Sequence, residues 1–205
     1  MLNITCEDNM ALMARYGDDH FDLAIVDPPY GIGMGGGKWG NSKVDFKQFH
    51  GEDNCTPSKE YFDEMKRVSK NYIVWGGNYM TEYLPPTPCY IVWDKVQPED
   101  FTMAMCEIAF TSFDTPAKIY KQRVVGADTS GKVHPTQKPV KLYEWLLMKY
   151  AKEGDLILDT HLGSGSIAVA CEKHGFDLTA CEIDQGYYDI AMARIAHDTA
   201  QVSFL

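Results

Sequence analysis

No apolar run in this chain approaches the ~20 residues needed to span a bilayer. The opening Met1-Leu2-Asn3-Ile4-Thr5 lacks the regions of a signal peptide. The six cysteines, at positions 6, 55, 89, 106, 171 and 181, show no CxxC spacing, and several lie inside apolar runs. That pattern argues against a zinc or disulfide framework and predicts reduced thiols in an intracellular, cytoplasmic protein away from membranes. The six histidines are equally scattered, so no metal site is predicted. An excess of positive charge is also missing: the formal net charge is −10, a poor balance for general attraction to phosphates. The stretch from Asp114 to Lys141 reverses the sign, with Lys118, Lys121, Arg123, Lys132, Lys138 and Lys141 against Asp114 and Asp128, and is the candidate phosphate-facing surface.

What is present suits an ordinary folded chain. With 205 residues, 45% hydrophobic and 23% charged, one domain over 1–205 can bury a core without staples. Leu2-Asn3-Ile4-Thr5 reads as a short strand, and Asp8 or Asn9 can cap the helix that follows. Gly17-Asp18-Asp19-His20 turns the chain into the apolar run Phe21-Asp22-Leu23-Ala24-Ile25-Val26, completing a β-α-β unit. From Gly31 to about Pro57 the sequence is glycine-rich and weakly periodic, a length of loop that suggests a flap. Ser58 then caps a helix from Lys59 to about Ser69, whose Tyr61, Phe62, Met65 and Val68 share one face. Further strands are predicted at Asn71–Trp75, Cys89–Trp93, Met105–Thr111 (with Glu107 among apolar neighbours) and, more weakly, Ala117–Tyr120.

Asp27-Pro28-Pro29-Tyr30 sits at the end of the second strand, where ligands gather in open α/β sheets. The prolines lock φ and donate no backbone hydrogen bond. Asp27 and the Pro28 carbonyl can each accept one hydrogen of an amino group, while Tyr30 stacks on a flat ring. An exocyclic amine on adenine or cytosine is a poor nucleophile because its lone pair is delocalised into the ring. Two acceptors draw the nitrogen towards tetrahedral geometry and aim that lone pair. The plainer reading is a strand ending in a Pro-Pro turn with Tyr30 packed on a neighbour.

The last third carries a second signal. His134-Pro135-Thr136-Gln137-Lys138-Pro139 is a rigid turn, and Pro139 suits the first turn of a helix bearing Val140, Tyr143, Leu146, Leu147, Tyr150 and Ala151 on one face. Gly154 stops it. The strand Asp155–Asp159 leads through Thr160-His161-Leu162-Gly163-Ser164-Gly165-Ser166 into a helix ending at Gly175. A strand from Asp177 to Cys181 then ends at Glu182, and Asp184 caps the final helix. Strand, Gly-x-Gly turn, helix, then a strand ending in an acid is the logic of a nucleotide-like cofactor site: glycines admit close backbone approach and the acid binds ribose hydroxyls. The third glycine of the dinucleotide fingerprint is missing, and a tight βα turn with Glu182 as a cap is the plainer account.

Together, the Asp-Pro-Pro-Tyr tetrapeptide, the HPTQKP turn, Asp159 to Ser166 and Glu182, in this order, resemble the S-adenosylmethionine-dependent DNA amino-methyltransferases of the permuted β class. The resemblance implies a Rossmann-like α/β methyltransferase fold: a mostly parallel seven-stranded sheet, its last strands antiparallel, with helices on both faces. It implies catalytic roles for Asp27, Pro28, Pro29 and Tyr30, with Asp27 and Pro28 holding the target amine. It places Asp159, Gly163, Ser164 and Gly165 around the methionine and ribose end of S-adenosylmethionine, Thr136 and Lys138 at its carboxylate, Glu182 at its ribose and Asp8 at its adenine. The product would be S-adenosylhomocysteine and the partner DNA. Segments 31–57 and 114–133 are the candidate target-recognition elements; both are short, so a short recognition sequence or a second subunit, as in a homodimer, is expected. The family commonly reads Asp-Pro-Phe before its glycines, whereas this chain has Asp159-Thr160-His161, which leaves His161 without a role.

The leading Asp of the tetrapeptide resembles the adenine-N6 version more than the cytosine-N4 version, which more often begins with Ser. Transfer to N6 of a flipped adenine is therefore the expected activity. Cytosine-N4 methylation is one alternative. A non-catalytic nucleic-acid-binding or regulatory module of the same fold is another, motivated by Thr160-His161 and the acidic charge. Methylation of another amine, on RNA or protein, is a third.

Overall fold

The computed structural model describes residues 1–33, 55–98, 104–123 and 137–200. Its elements run β1 (Leu2–Cys6), α1 (Asn9–Met13), β2 (Leu23–Val26), α2 (Lys59–Val68), β3 (Tyr72–Trp75), a 3-10 turn (Gly77–Tyr79), β4 (Tyr90–Asp94), β5 (Cys106–Thr111), β6 (Lys118–Lys121), α3 (Val140–Tyr150), β7 (Leu156–Asp159), α4 (Ser166–His174), β8 (Asp177–Glu182) and α5 (Gln185–Ala200). The strands form one sheet in the order β1-β8-β7-β2-β3-β5-β4-β6.

Side-chain alternation along the strands explains the layers. Leu23, Ile25, Ile73, Trp75 and Ile157 point to one face and pack with Leu142, Leu146 and Leu147 of α3, with α4, and with Ala191 and Ile195 of α5. Ala24, Val26, Val74 and Phe110 point to the other, against Leu12 and Met13 of α1 and Tyr61, Phe62, Met65 and Val68 of α2. All four residues of β2 and of β3 are buried because helices cover both faces. At the sheet edge, β6 alternates between half-buried and exposed residues. Among the described residues no helix is long and apolar enough to cross a membrane. Nor, among the described residues, do three or more His, Cys, Asp or Glu side chains cluster to hold a metal.

Two expectations need correction. Among the described residues the sheet has eight strands, not seven, because Lys118–Lys121 joins it beside β4. The antiparallel element is not the last strands but β5 alone, which runs against both β3 and β4; the other pairings are parallel. The physical cause is the short return from β4 to β5: adjacent strands so joined pair antiparallel, since a parallel pair needs a long crossover.

Several local expectations hold. Asp8 caps α1 by accepting the N–H groups of Met10 and Ala11 through Oδ1. Asp184 Oδ1 accepts Gly186 and Tyr187 N–H at 2.7 and 3.0 Å at the start of α5. Gly175 ends α4 in the left-handed region. Pro139 is one position earlier than expected, the cap of α3 and not its first turn. The face of α3 is shifted too: Leu142 is buried with Tyr143, Leu146 and Leu147, while Val140 and Tyr150 are only partly so.

Candidate active site

The strand order places β7 and β2 side by side, yet β7 continues through α4 to β8 on one flank and β2 through α2 to β3 on the other. A crevice opens where such crossovers diverge, beyond the carboxyl ends of the parallel strands. Asp27 follows β2 on one side of that divide, and Asp159 ends β7 on the other.

Asp27 is held from both oxygens. Tyr30 donates its hydroxyl to Oδ1 at 2.7 Å, and Lys138 Nζ is ion-paired with Oδ2. Lys138 also meets Glu107 Oε2 at 3.0 Å and donates to the Tyr30 hydroxyl at 3.1 Å, so its three ammonium protons each have an acceptor. Glu107 is gripped at its other oxygen by Lys95 at 2.7 Å. The result is an alternating row, Lys95, Glu107, Lys138, Asp27, of zero net charge. The Lys138 side chain is 2% exposed, a depth at which an unpaired ammonium would be costly.

Titration follows from those contacts. Burial pushes the Asp27 carboxyl up and Lys138 only partly pulls it back, with Glu107 adding to the rise. Glu107 also meets the cost of burial, but Lys138 and Lys95 outweigh it and hold the acid down at about 2. Burial opposes the Lys138 charge, and the Asp27 and Glu107 carboxylates overcome it, raising its pKa. Burial and the same carboxylates lift the Tyr30 phenol well above its usual value, so it stays a donor.

The Tyr30 ring stands where Gly76 lets it. Gly76 has φ +68°, and a Cβ there would overlap the ring. Tyr79, 48% exposed, stacks on Tyr30 with centroids 5.4 Å apart and planes 18° from parallel. Lys138 Nζ lies 5.6 Å from the Tyr30 centroid and 5.2 Å from that of Trp75.

Across the divide, the turn 160–165 leads from β7 into α4. Gly163 (φ +53°) and Gly165 (φ +75°) shape it, and a Cβ on Gly165 would crowd Ile195 Cδ1 at 2.9 Å. Glu182 Oε2 accepts Gly163 N–H at 2.9 Å and Oε1 accepts Asp184 N–H at 3.0 Å. Burial raises its pKa, and those bonds offset part of the rise. Asp159 is buried; despite the His161 N–H at 3.0 Å, burial pushes it up to about 8, with Asp27 and Glu182 adding to the effect. A bare backbone turn at a helix start, faced by a carboxylate with lone pairs to spare, fits the donors and acceptors of an S-adenosylmethionine ribose. Asp8 lies nearby because β1 and β8 pair with Cys6 beside Glu182, and its cap bonds fall on one oxygen.

His161, unassigned from the sequence, belongs to a polar relay behind this turn. Asn9 Nδ2 donates to Nε2 at 3.1 Å, which leaves the proton on Nδ1, 2.9 Å from Thr160 Oγ1. Thr160 Oγ1 in turn lies 2.7 Å from the Tyr61 hydroxyl. Burial lowers the imidazole pKa to about 4, so the ring is neutral at pH 7. The relay ties the glycine turn to α1 and α2.

The structure thus brings Asp27, Pro28, Pro29, Tyr30 and Lys138 together on one side and Asp159, Gly163, Ser164, Gly165, Glu182 and Asp8 on the other. Lys138, expected at the cofactor's carboxylate, is paired in this structure with Asp27 and Glu107, where it compensates two buried acids. Its backbone carbonyl is pinned by Ser166 Oγ at 2.7 Å. Thr136 lies outside the described residues, as do 34–54 of the expected flap and 124–133 of the basic segment. The described part of that segment includes β6, with Lys118 and Lys121 beside exposed Ile119. Sequence reasoning missed Glu107, Lys95 and Tyr79. Glu107 carried one signal, an acid inside an apolar strand.

A family model described as DNA methylase, for N6/N4 methyltransferases, matches residues 74–193. The chain belongs to this DNA methylase family. It is similar to the type II methyltransferase M.HpaI of Haemophilus parainfluenzae, at 25% identity over 235 residues, covering 94% of this chain and 73% of the relative. Among solved structures it resembles the M1.HpyAVI–SAM complex (TM-score 0.62, 16% identity, 95% of this chain and 99% of that one). It also resembles the cytosine-N4-specific PvuII DNA methyltransferase (TM-score 0.65, 11% identity, 98% and 92%).

Proposed function

We propose that this chain transfers a methyl group from S-adenosylmethionine to the exocyclic N6 amine of a flipped-out adenine in DNA. The observation that carries the proposal is the Asp27 carboxylate at the switch point, oriented by Tyr30 and followed by Pro28-Pro29. Family membership supports DNA as the substrate. The leading Asp, where cytosine-N4 enzymes more often carry Ser, supports adenine.

Asp159, Gly163, Ser164, Gly165, Glu182 and Asp8 would hold the cofactor. When bound, S-adenosylmethionine supplies an electrophilic methyl group on a sulfonium. A stacked base cannot reach the crevice, so it is extruded at a cost of a few kcal/mol. Tyr30 offers its ring as a stacking surface, and Asp27 with the Pro28 carbonyl accepts the two amine hydrogens. Held by these two acceptors, the amine lone pair would be aimed at the methyl group that the bound cofactor would supply, the electron pair of its former bond staying with sulfur. Asp27, its pKa raised by burial, receives the proton the methylated amine gives up and releases it to solvent. Catalysis is mainly in-line positioning, because the leaving group is already activated.

Cytosine N4 is the second reading, favoured by the likeness to the PvuII enzyme. The test is methylation of unmethylated genomic DNA by the purified protein, with the product nucleoside identified by mass spectrometry. N6-methyladenine supports the proposal. N4-methylcytosine keeps the mechanism and overturns the base.

A further inference from the structure

Lys138 Nζ is ion-paired with Oδ2 of Asp27, the carboxylate proposed to accept the target amine, while Tyr30 holds Oδ1. Glu107 Oε2 holds the same ammonium from the other side at 3.0 Å. The lysine backbone is anchored through Ser166, so only its side chain is free to shift. Glu107 reaches this point because β5 is antiparallel: its register sets Glu107 opposite Trp93 and Ala109 opposite Trp75, bringing the start of β5 to the edge where its neighbours end. Lys95 fixes the far oxygen of Glu107 at 2.7 Å and so aims the near one at Lys138.

From this geometry we propose that Glu107 is a positioning residue that gives the Lys138 ammonium a second seat, so that Asp27 is vacated for the target amine without stranding a buried cation. In the resting site Lys138 is shared between two carboxylates. When the base enters, its amine takes the place of one Lys138 proton on Asp27, and Lys138 stays on Glu107. No bond to carbon is made or broken in this exchange; one N–H···O contact replaces another. Without the Glu107 charge, Asp27 is the one carboxylate left paired with Lys138 among the described residues, and the amine must compete for it. The competent fraction falls, so apparent affinity for DNA weakens while the rate from the filled site is preserved.

This inference rests on the reading of Asp27 as the amine acceptor. Its test is steady-state methyl transfer to PCR-amplified, hence unmethylated, genomic DNA at saturating S-adenosylmethionine. Wild type, Glu107→Gln and Glu107→Asp are compared, with thermal melts to establish that each is folded. Loss of one charge-assisted partner predicts a KM for DNA raised about tenfold with kcat within about twofold, and Glu107→Asp recovering much of the difference. If Glu107→Gln does not fold, the paired Glu107→Gln/Lys95→Met variant, which leaves no unmatched charge at that end, must show the same rise. An unchanged KM, or a fall in kcat at constant KM, overturns the second-seat role. A wild-type protein that transfers no methyl group overturns the parent reading instead, and this inference with it.

Discussion

Replacing Gly76 by alanine tests the placement of the stacking ring with a single methyl group. Gly76 has φ +68°, where an L side chain costs about 1–2 kcal/mol. The added Cβ would also overlap the Tyr30 ring, which is hemmed in by Tyr79 and Lys138 and must move. Gly154 provides the control: its φ is +88° and nothing lies within 4 Å of its Cβ position. Gly154→Ala therefore carries the backbone cost alone, about 2–8 °C in Tm for a chain of this size, and leaves methyl transfer intact. Gly76→Ala should melt lower still and lose about 10- to 100-fold in transfer to DNA, the worth of one base–aromatic stack. Differential scanning fluorimetry and a tritiated-methyl assay read the two effects separately. A folded Gly76→Ala protein with wild-type transfer would refute the assignment of Tyr30 as the stacking surface.

Removing Glu182 by substitution to Ala strips the acceptor from Gly163 and Asp184 N–H and the proposed ribose contact; titration calorimetry should find S-adenosylmethionine bound about 10- to 100-fold more weakly. His161 should tie stability to pH. Its folded pKa, lowered by burial to about 4, lies below the usual 6.5, so the unfolded chain takes up a proton first as pH falls. Stability from this group is full above 6.5 and lost progressively down to about 4. Denaturant titrations at pH 7 and pH 5 should show a smaller difference for His161→Phe than for wild type, and equal differences would remove His161 from the account.

Much of this site was legible in the sequence because its parts follow strands. Short apolar runs ending in Asp27, Asp159 and Glu182 could each be read locally, and parallel packing then brings their ends to one edge. The eight strands could likewise be read one by one; the implied count of seven missed the edge strand that Lys118–Lys121 adds. Strand direction was not legible. Nothing in Cys106–Thr111 says that it runs antiparallel, yet that reversal is what carries Glu107 to Asp27 and Lys138. Lys138 shows the same limit: the HPTQKP motif makes it a candidate site residue, but its partners Asp27 and Glu107 lie 111 and 31 residues away along the chain. The relay of Asn9, His161, Thr160 and Tyr61 joins three separate segments and leaves no local pattern.

Methyl transfer by wild type and Asp27→Ala, measured side by side on unmethylated DNA with labelled S-adenosylmethionine and paired with cofactor-binding isotherms, tests the central role of Asp27. Lys138 keeps Glu107 as its partner in the variant, so the fold should persist. Transfer by wild type, a loss of about 10²–10³-fold or more in Asp27→Ala, and nearly equal cofactor affinity is the result predicted. Undiminished transfer by Asp27→Ala would contradict the account.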